Sequence, residues 1–156
     1  LTRDNDEGSI GFIINKKSSY KLSDLDTEFS DIKVPLYYGG PVGVDTVHFI
    51  HKKNDLIISS EKISNKIYWG NDFQDIISLI RNKKITINDV KFFLGYSGWD
   101  YGQLKRELNE NSWLVLKKFN SNDILNTNKD IWKNKLVSFG DKYKLWSNSP
   151  ENPNYN

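Results

Sequence analysis

The sequence predicts a single domain of the α+β class, built around one mixed and strongly curled β-sheet. Its length of 156 residues is typical of one domain with its own hydrophobic core. Strand-like and helix-like segments alternate irregularly, with several strands in succession in the first half, which favours α+β over a regular doubly wound fold. No repeat, low-complexity block or linker divides the chain, so we expect one domain over residues 1–156.

Strands dominate the first half of the chain, where polar turns separate short runs of β-branched, aromatic and aliphatic residues. The five strands predicted from these runs cover residues 9–15, 34–38, 46–51, 56–59 and 64–69. Residues 23–29 predict a short helix, because Ser23 suits the N-cap position and Leu25 offers a core contact.

Helices are more frequent in the second half, each predicted from a polar cap followed by an apolar stripe. The three helices begin at Asn71 or Asp72, at Asp100, and at Asn128 or Asp130, and end near Arg81, Glu110 and Phe139. Gly140 stands where a glycine often follows a helix. Residues 90–96 form the clearest strand of the chain, and residues 112–117 (SWLVLK) predict another. The end of the chain from Ser147 onward is expected to be irregular.

Composition excludes several classes of function. The formal net charge is only +2, from 22 Lys and Arg against 20 Asp and Glu, which argues against the basic footprint of a nucleic-acid-binding protein. Cysteine is absent, which removes thiol nucleophiles, zinc–thiolate sites and disulfides. No apolar run approaches the roughly 20 residues that span a bilayer, so we expect no membrane partner.

A serine turn is the most distinctive feature of the sequence. The strand at 90–96 runs into Ser97, Gly98 and Trp99, and a helix is predicted directly afterwards. A nucleophile elbow has this order but needs glycine two residues before and two after the serine, and here Trp99 takes the second position. The alternative is structural: Gly95 and Gly98 permit a tight turn, Trp99 fills the core and Gln103 bonds the turn backbone.

The same turn has a second functional interpretation. Backbone N–H groups of residues 97–100 would point out of a helix N-terminus, which suits a small anion. Asp100 opposes this, because its carboxylate would occupy the cap and repel negative charge.

Asp45, His48 and His51 have a spacing that would bind a metal on a helix. Residues 46–51 predict a strand, however, and residues three apart on a strand face opposite sides. We therefore predict no metal and no cofactor. His51 is expected at the strand end, next to Lys52-Lys53.

The turn Gly39-Gly40-Pro41 permits either a close approach of a ligand to the backbone or a sharp chain reversal. We expect this turn to converge with the Ser97 turn in one cleft. Four basic pairs would suit an anionic partner if folding gathered them on one face; they are Lys16-Lys17, Lys52-Lys53, Lys83-Lys84 and Lys117-Lys118.

Taken in order, these motifs resemble the YqgE/AlgH family over nearly the whole chain. The matching positions are Gly8, Gly11, Asn15, GGPV at 39–42, His51, Tyr68-Trp69, FLGYSGW at 93–99, Gly102-Gln103-Leu104, Glu107, Trp113 and Trp132. The resemblance implies a compact α+β domain, with a curled sheet or partial barrel flanked by helices, in a bacterial cytoplasmic protein. It implies no reaction and no catalytic residues, and one branch of the family carries the name of a transcriptional regulator of alginate biosynthesis.

Two departures from the family pattern stand out. Members usually carry an extra N-terminal segment with a strand before the first glycine motif, and this chain begins at about the end of that strand. We therefore expect an unpaired sheet edge. The family often has an acidic residue directly after the Gln-Leu pair, where this chain has Lys105.

Three functions remain open, in descending order. The first is a non-enzymatic regulatory domain that binds a protein or a small anionic ligand. The second is a hydrolase-like enzyme using Ser97 with His51 or Glu107. The third is a DNA-binding regulator, although no helix-turn-helix pattern is present. The residues expected to mark the functional surface are Gly39, Gly40, Pro41, His51, Ser97, Gly98, Trp99, Gln103 and Glu107.

Overall fold

The computed structural model describes residues 1–70, 72–116, 119–125, 131–140 and 143. The chain divides into two compact units, Leu1–Asn126 and Thr127–Asn156. The first unit holds all eight strands of the described part and three helices: α1 (Phe73–Arg81), α2 (Gln103–Asn109) and α3 (Ser121–Leu125). The second unit holds α4 (Ile131–Ser138), and Gly140 beyond it has a φ of +112°. Among the described helices, none is both long and apolar enough to cross a membrane.

One sheet organises the first unit. Its strands are β1 (Arg3–Asn5), β2 (Gly8–Gly11), β3 (Lys17–Lys21), β4 (Pro35–Tyr38), β5 (Val42–His51), β6 (Glu61–Ser64), β7 (Ile67–Gly70) and β8 (Val90–Trp99). The order is β1-β2-β8-β5-β7-β6, and β3 joins through β4. Only β4 and β8 run parallel among the described pairs, so the sheet is mixed, as the sequence predicts.

The two end strands of this order meet through one ion pair. The Arg3 guanidinium on β1 donates to both carboxylate oxygens of Glu61 on β6, and it lies 5.0 Å from the centre of the Trp69 ring on β7. Because the first and last strands of the order lie within reach of each other, the sheet forms a nearly closed barrel. The α+β class and the curled sheet predicted from the sequence are thereby confirmed.

Alternation along the strands divides the apolar side chains between two clusters. Phe49 and Phe92 belong to the cluster that α1 covers with Ile76 and Ile77. Asp72 begins α1, as predicted, and its side chain accepts a hydrogen bond from the amide of Asp75 at 3.0 Å. The second cluster lies on the other face of the sheet and contains Tyr37, Ile50, Ile67, Phe93 and Leu125.

Several predicted elements differ from the structure. The strand expected at 9–15 ends at Gly11, and the helix expected at 23–29 is two 3-10 turns, Leu22–Asp24 and Thr27–Phe29. Residues 56–59 form turns instead of a strand. The strand expected at 64–69 is a hairpin, β6 and β7, because Lys66 adopts a left-handed φ of +64° and reverses the chain.

The strand expected at 112–117 is absent over 112–116, and residue 117 lies outside the described part, as do Asn71, Asn128, Asp130 and the end of the chain from Ser147. The strands β1 and β3 and the helix α3 were not predicted from the sequence. These elements are short and polar: β3 reads KSSYK, with four of its five residues exposed. Such segments have too few apolar residues for a hydrophobic period to predict them, and tertiary contacts hold them in place.

Candidate functional site

The two glycine segments singled out in the sequence meet in the fold. The Ser97 hydroxyl lies 3.3 Å from the Gly39 carbonyl oxygen and donates to it. A Cβ added at Gly39 would come within 3.0 Å of the Gly95 carbonyl oxygen, and one at Gly40 would come equally close to the backbone of Tyr96. The two segments therefore meet, as predicted, and the cleft that they were expected to line stays a prediction. Their meeting is a contact of backbone against backbone, which glycine alone permits.

A large bulge in β5 lies beside this contact. Val42 pairs with Tyr96 and Val47 with Leu94, so residues 43–46 of β5 stand opposite Gly95 alone. We call residues 43–46 the β5 bulge. Its shape is stabilised by the Thr46 hydroxyl, which donates to the Gly43 carbonyl at 2.6 Å. Gly43 and Gly95 both have positive φ, of +56° and +63°, so a side chain at either position would strain the backbone.

We call residues 39–46 together with 95–100 the glycine face. Pro41, Val42 and Val44 are exposed there, with 39 % of Val42 and 54 % of Val44 accessible to solvent. The charged side chains within these two ranges are Asp45 and Asp100, both exposed. The face therefore combines a firmly packed backbone with exposed apolar side chains and a negative charge.

The serine turn differs from the prediction. Strand β8 continues through Ser97 to Trp99 because it pairs with β2, where Gly11 lies opposite Ser97. The prediction that Asp100 caps the following helix is also wrong: α2 begins after Gly102, whose φ is +73°. The nucleophile elbow and the anion site both require a helix directly after the serine, so neither has its geometry here.

Glu107 on α2 gathers three N–H donors. Its carboxylate accepts hydrogen bonds from the indoles of Trp113 at 2.8 Å and Trp99 at 3.2 Å, and from the Gln103 amide at 2.9 Å. The bond from Trp113 is the largest of the effects that hold the pKa of Glu107 below its ordinary value. Gln103 also accepts from the Asp100 amide at 3.0 Å. Three predicted residues, Trp99, Gln103 and Glu107, thus form one hydrogen-bonded group beside Ser97.

His51 lies far from this group. It ends β5 as predicted, but it pairs there with Val90, at the opposite end of β8 from Ser97. Ser97 lies seven residue steps along β8 from Val90, which is roughly 23 Å at about 3.3 Å per residue. The structure therefore does not bring His51 to the glycine face, and a pairing of Ser97 with His51 is wrong.

The His51 side chain is fully buried and structural in its contacts. Its Nδ1 accepts from the Lys53 amide at 3.2 Å, so the ring proton lies on Nε2, which donates to the Ser60 hydroxyl at 2.7 Å. Burial lowers its pKa to about 4, which keeps the imidazole neutral. Sequence position alone shows neither the burial nor this partner.

His48 lies closer to the glycine face than His51. Its ring centre is 5.7 Å from that of Tyr96, 5.5 Å from Phe12 and 5.9 Å from Trp69, and its Nε2 is 3.1 Å from the Thr46 hydroxyl. Burial lowers its pKa. His48 and His51 face opposite sides of the sheet, as predicted. Within the part of the chain that the structure describes, no group of three His, Cys, Asp or Glu side chains is placed to hold a metal ion.

Lys91 is a buried polar residue that sequence analysis missed. Its ammonium donates to the carbonyls of Ile14 at 3.0 Å and Ile124 at 2.8 Å, and it lies 4.4 Å from the centre of the Tyr37 ring. Burial lowers its pKa to about 8. A single lysine inside the apolar strand VKFFL was the available signal. The predicted basic pair Lys52-Lys53 instead faces Asp89, at 3.4 and 3.9 Å.

Substitution of Gly40 tests the backbone contact. Because a Cβ there would overlap the β8 backbone, we expect Gly40→Ala to lower the free energy of unfolding by about 1–3 kcal/mol, measured by urea denaturation. Gly11→Ala is the matched control, because its Cβ would meet neighbours at an ordinary 3.5 Å. Equal effects of the two substitutions would contradict the close approach.

Neutral His51 makes stability depend on pH. In the unfolded chain His51 binds a proton near pH 6.5, and in the folded chain only near pH 4. The contribution of neutral His51 to the free energy of unfolding is therefore fully present above pH 6.5, decreases as the pH falls, and is lost once the pH has dropped through 4. The full loss is about 3 kcal/mol. We expect His51→Gln to flatten the unfolding free energy between these pH values. Parallel curves for the two proteins would exclude this role of His51.

The Glu107 carboxylate should respond to its main donor. We expect Trp113→Phe to raise the pKa of Glu107, because the phenyl ring has no N–H to stabilise the charged carboxylate. Tyr20→Phe, on β3 of the same unit, is the control and should leave this pKa unchanged, because Tyr20 is not among the groups that shift it. Carbon NMR of the Glu107 carboxyl group during a pH titration measures both. A pKa that stays the same in Trp113→Phe would rule out the indole bond as the main cause.

Comparisons with known proteins agree with the fold and the motifs. A UPF0301 protein of Chlorobaculum parvum is 41 % identical over 152 residues, covering 97 % of this chain and 81 % of that protein. A UPF0301 protein of Bacteroides thetaiotaomicron is also 41 % identical over 152 residues, covering 97 % and 77 %.

Two solved structures share the fold. The solution structure of the AlgH protein from Pseudomonas aeruginosa superposes with a TM-score of 0.70 at 21 % identity, covering 96 % of this chain and 82 % of that one. The crystal structure of a Corynebacterium diphtheriae protein gives 0.74 at 17 % identity, covering 94 % and 79 %. The AlgH-like family model matches residues 1–144. With this match and with bacterial relatives at 41 % identity, the chain belongs to the AlgH-like family.

Proposed function

We propose that this protein acts by binding a partner protein at the glycine face, without catalysing a reaction. The observation that carries the proposal is the packing of Gly39 and Gly40 against β8, which holds the exposed Pro41, Val42 and Val44 in one defined arrangement. A surface that is ordered before binding loses little conformational entropy when a partner arrives. Bulges such as the one in β5 are over-represented next to functional sites.

The polar groups of the site favour binding over catalysis. The Ser97 hydroxyl donates to a backbone carbonyl, and the Glu107 carboxylate is engaged by three N–H groups. A nucleophilic serine needs a base within hydrogen-bond reach. Both histidines are bonded to hydroxyl groups of other residues, Thr46 and Ser60, which gives the hydrolase alternative little support.

The charge of the face indicates which partner it suits. Asp45 follows Val44 in the chain and Asp100 is the other charged residue of the glycine face, so a phosphate, a nucleic acid or a small anion would be repelled. A protein with an apolar patch bordered by Lys or Arg matches both the apolar side chains and the negative charge of the glycine face. Action by binding also suits the regulator name that one branch of the family carries and the cytoplasmic location that the resemblance implies.

Site-specific photocrosslinking tests the proposal. A photoreactive benzoylphenylalanine at position 44, introduced in bacterial cells, should yield one discrete adduct whose second component is a polypeptide identified by mass spectrometry. Asp45→Lys in the same protein should weaken the adduct several-fold, because it reverses the charge beside the apolar side chains. Position 58 is the control, because Ile58 is 87 % exposed and lies outside the face.

The pattern of adducts decides the outcome. The same adducts at positions 44 and 58, or none at position 44, would contradict partner binding at the glycine face.

A further inference from the structure

Two indole rings and a carboxylate form a corner at the surface, next to the end of β8. The rings of Trp99 and Trp113 are nearly perpendicular, with 5.8 Å between their centres and 73° between their planes. Both indole N–H groups donate to the same oxygen, Oε2 of Glu107. Trp113 is 47 % exposed, while Trp99 and Glu107 are half-buried. We call these three side chains the indole corner.

The bonds to Glu107 decide what the rings offer to a ligand. Each indole has a single donor, and both donors are used within the corner. Recognition is therefore left to the faces of the rings. The face of an aromatic ring carries negative potential and attracts a cation, most strongly on tryptophan.

The charge of Glu107 is not neutralised by a basic side chain. Its three bonds come from neutral donors, the two indoles and the Gln103 amide. No Lys or Arg of the described residues forms a salt bridge with it. Arg106 makes the smallest of the contributions that hold the pKa of Glu107 low. Asp100, whose amide donates to the same Gln103, adds a second negative charge nearby. The corner is therefore suited to a cation.

The oxygens of Glu107 indicate which cation fits. Oε2 accepts from two indoles, whereas Oε1 accepts only from Gln103 among the residues that the structure describes. A carboxylate oxygen has two lone pairs, so Oε1 can accept one further bond. A guanidinium stacks on an aromatic face and donates N–H bonds from its edge at the same time. An ammonium is a compact and more strongly hydrated charge, which suits this arrangement less.

We propose that the indole corner binds the guanidinium of an arginine on the partner protein, which stacks on the partly exposed ring of Trp113 and donates to Oε1 of Glu107. This inference rests on the proposed function, because the partner is the one that binds the glycine face, to which Trp99 belongs. Trp99 lies four residue steps beyond Gly95 on β8, roughly 13 Å at about 3.3 Å per residue. One interface of ordinary size covers both places.

A titration with a small probe tests the corner without the partner. N-acetyl-arginine methylamide is added to nitrogen-15-labelled protein, and the indole N–H signals are followed by NMR. The signals of Trp99 and Trp113 should shift together, with a dissociation constant of roughly 1–50 mM, as one weak contact gives. The signal of Trp69 should not move, because this ring is 9 % exposed and already lies against Arg3.

The matched probe is N-acetyl-citrulline methylamide, which has nearly the same shape but no charge. It should shift neither indole signal at the same concentrations, because a neutral urea group is not attracted by the ring faces or by the carboxylate.

Variants of the protein separate the ring from its surroundings. Trp113→Leu should raise the dissociation constant of the arginine probe about 3- to 30-fold, measured on the Trp99 signal, because the exposed ring face is lost. Glu107→Gln keeps the size of the side chain without its charge and should also weaken binding several-fold. Leu114→Ala is the control, because Leu114 is 44 % exposed, follows Trp113 directly and lies outside the corner. It should bind the probe like wild type.

Photocrosslinking tests whether the arginine belongs to the partner. Benzoylphenylalanine replaces Tyr101, which is 69 % exposed and two residues beyond Trp99 in the chain. In bacterial cells, the adduct at position 101 should contain the same polypeptide as the adduct at position 44. Trp113→Leu should weaken the adduct at position 101 several-fold, and Leu114→Ala should leave it unchanged.

Four results would overturn the proposal. The arginine probe could leave the signals of Trp99 and Trp113 in place, the citrulline probe could shift them equally, or Trp113→Leu could bind the arginine probe as tightly as wild type. Position 101 could also yield no adduct, or one with a different polypeptide from position 44. The titration needs no partner, so its failure contradicts the indole corner alone, whereas a missing adduct at position 44 beside a normal titration contradicts the proposed function.

Discussion

The close approach of two glycines to strand β8 is the constraint on which the arrangement of the first unit depends. Gly39 and Gly40 end β4 and turn the chain, and the β8 backbone occupies the space that their side chains would need. Because of this contact, β4 pairs with β8 on one side of the turn and β5 pairs with β8 after it. One strand thereby organises β2, β4 and β5, and the curled sheet follows from their shared partner.

The same constraint shapes the surface next to it. With β5 returning so close to β8, three more residues lie on β5 than on β8 between their paired positions, and the excess forms the exposed bulge. Ser97 cannot end a strand there, because β2 pairs with β8 as far as Trp99. The Ser97 hydroxyl and the Glu107 carboxylate, which could serve in catalysis elsewhere, form hydrogen bonds within the protein here. Exposed apolar side chains remain as the groups available to a partner.

Sequence reasoning succeeded where one local cause decides the structure. Helix α1 has an N-cap aspartate and a single apolar face, and the convergence of the glycine segments follows from residues that only a close contact requires. It failed where distant contacts decide. Ser97 was expected in a turn because the sequence does not show that β2 pairs with this part of β8. His51 was expected near Ser97 because the sequence does not show that His51 pairs with the opposite end of β8.

By itself, the sequence determined the α+β class, the main strands of the sheet, α1 and the family, because these depend on periodicity, caps and motifs that are local in the chain. Only the tertiary structure decided which histidine lies near the glycine face, how Glu107 joins Trp99 to Trp113, and which strand-like segment stays unpaired. The physical reason is that strand pairing and burial are set by residues remote in sequence, and a segment with strand composition becomes a strand only when a partner supplies its hydrogen bonds.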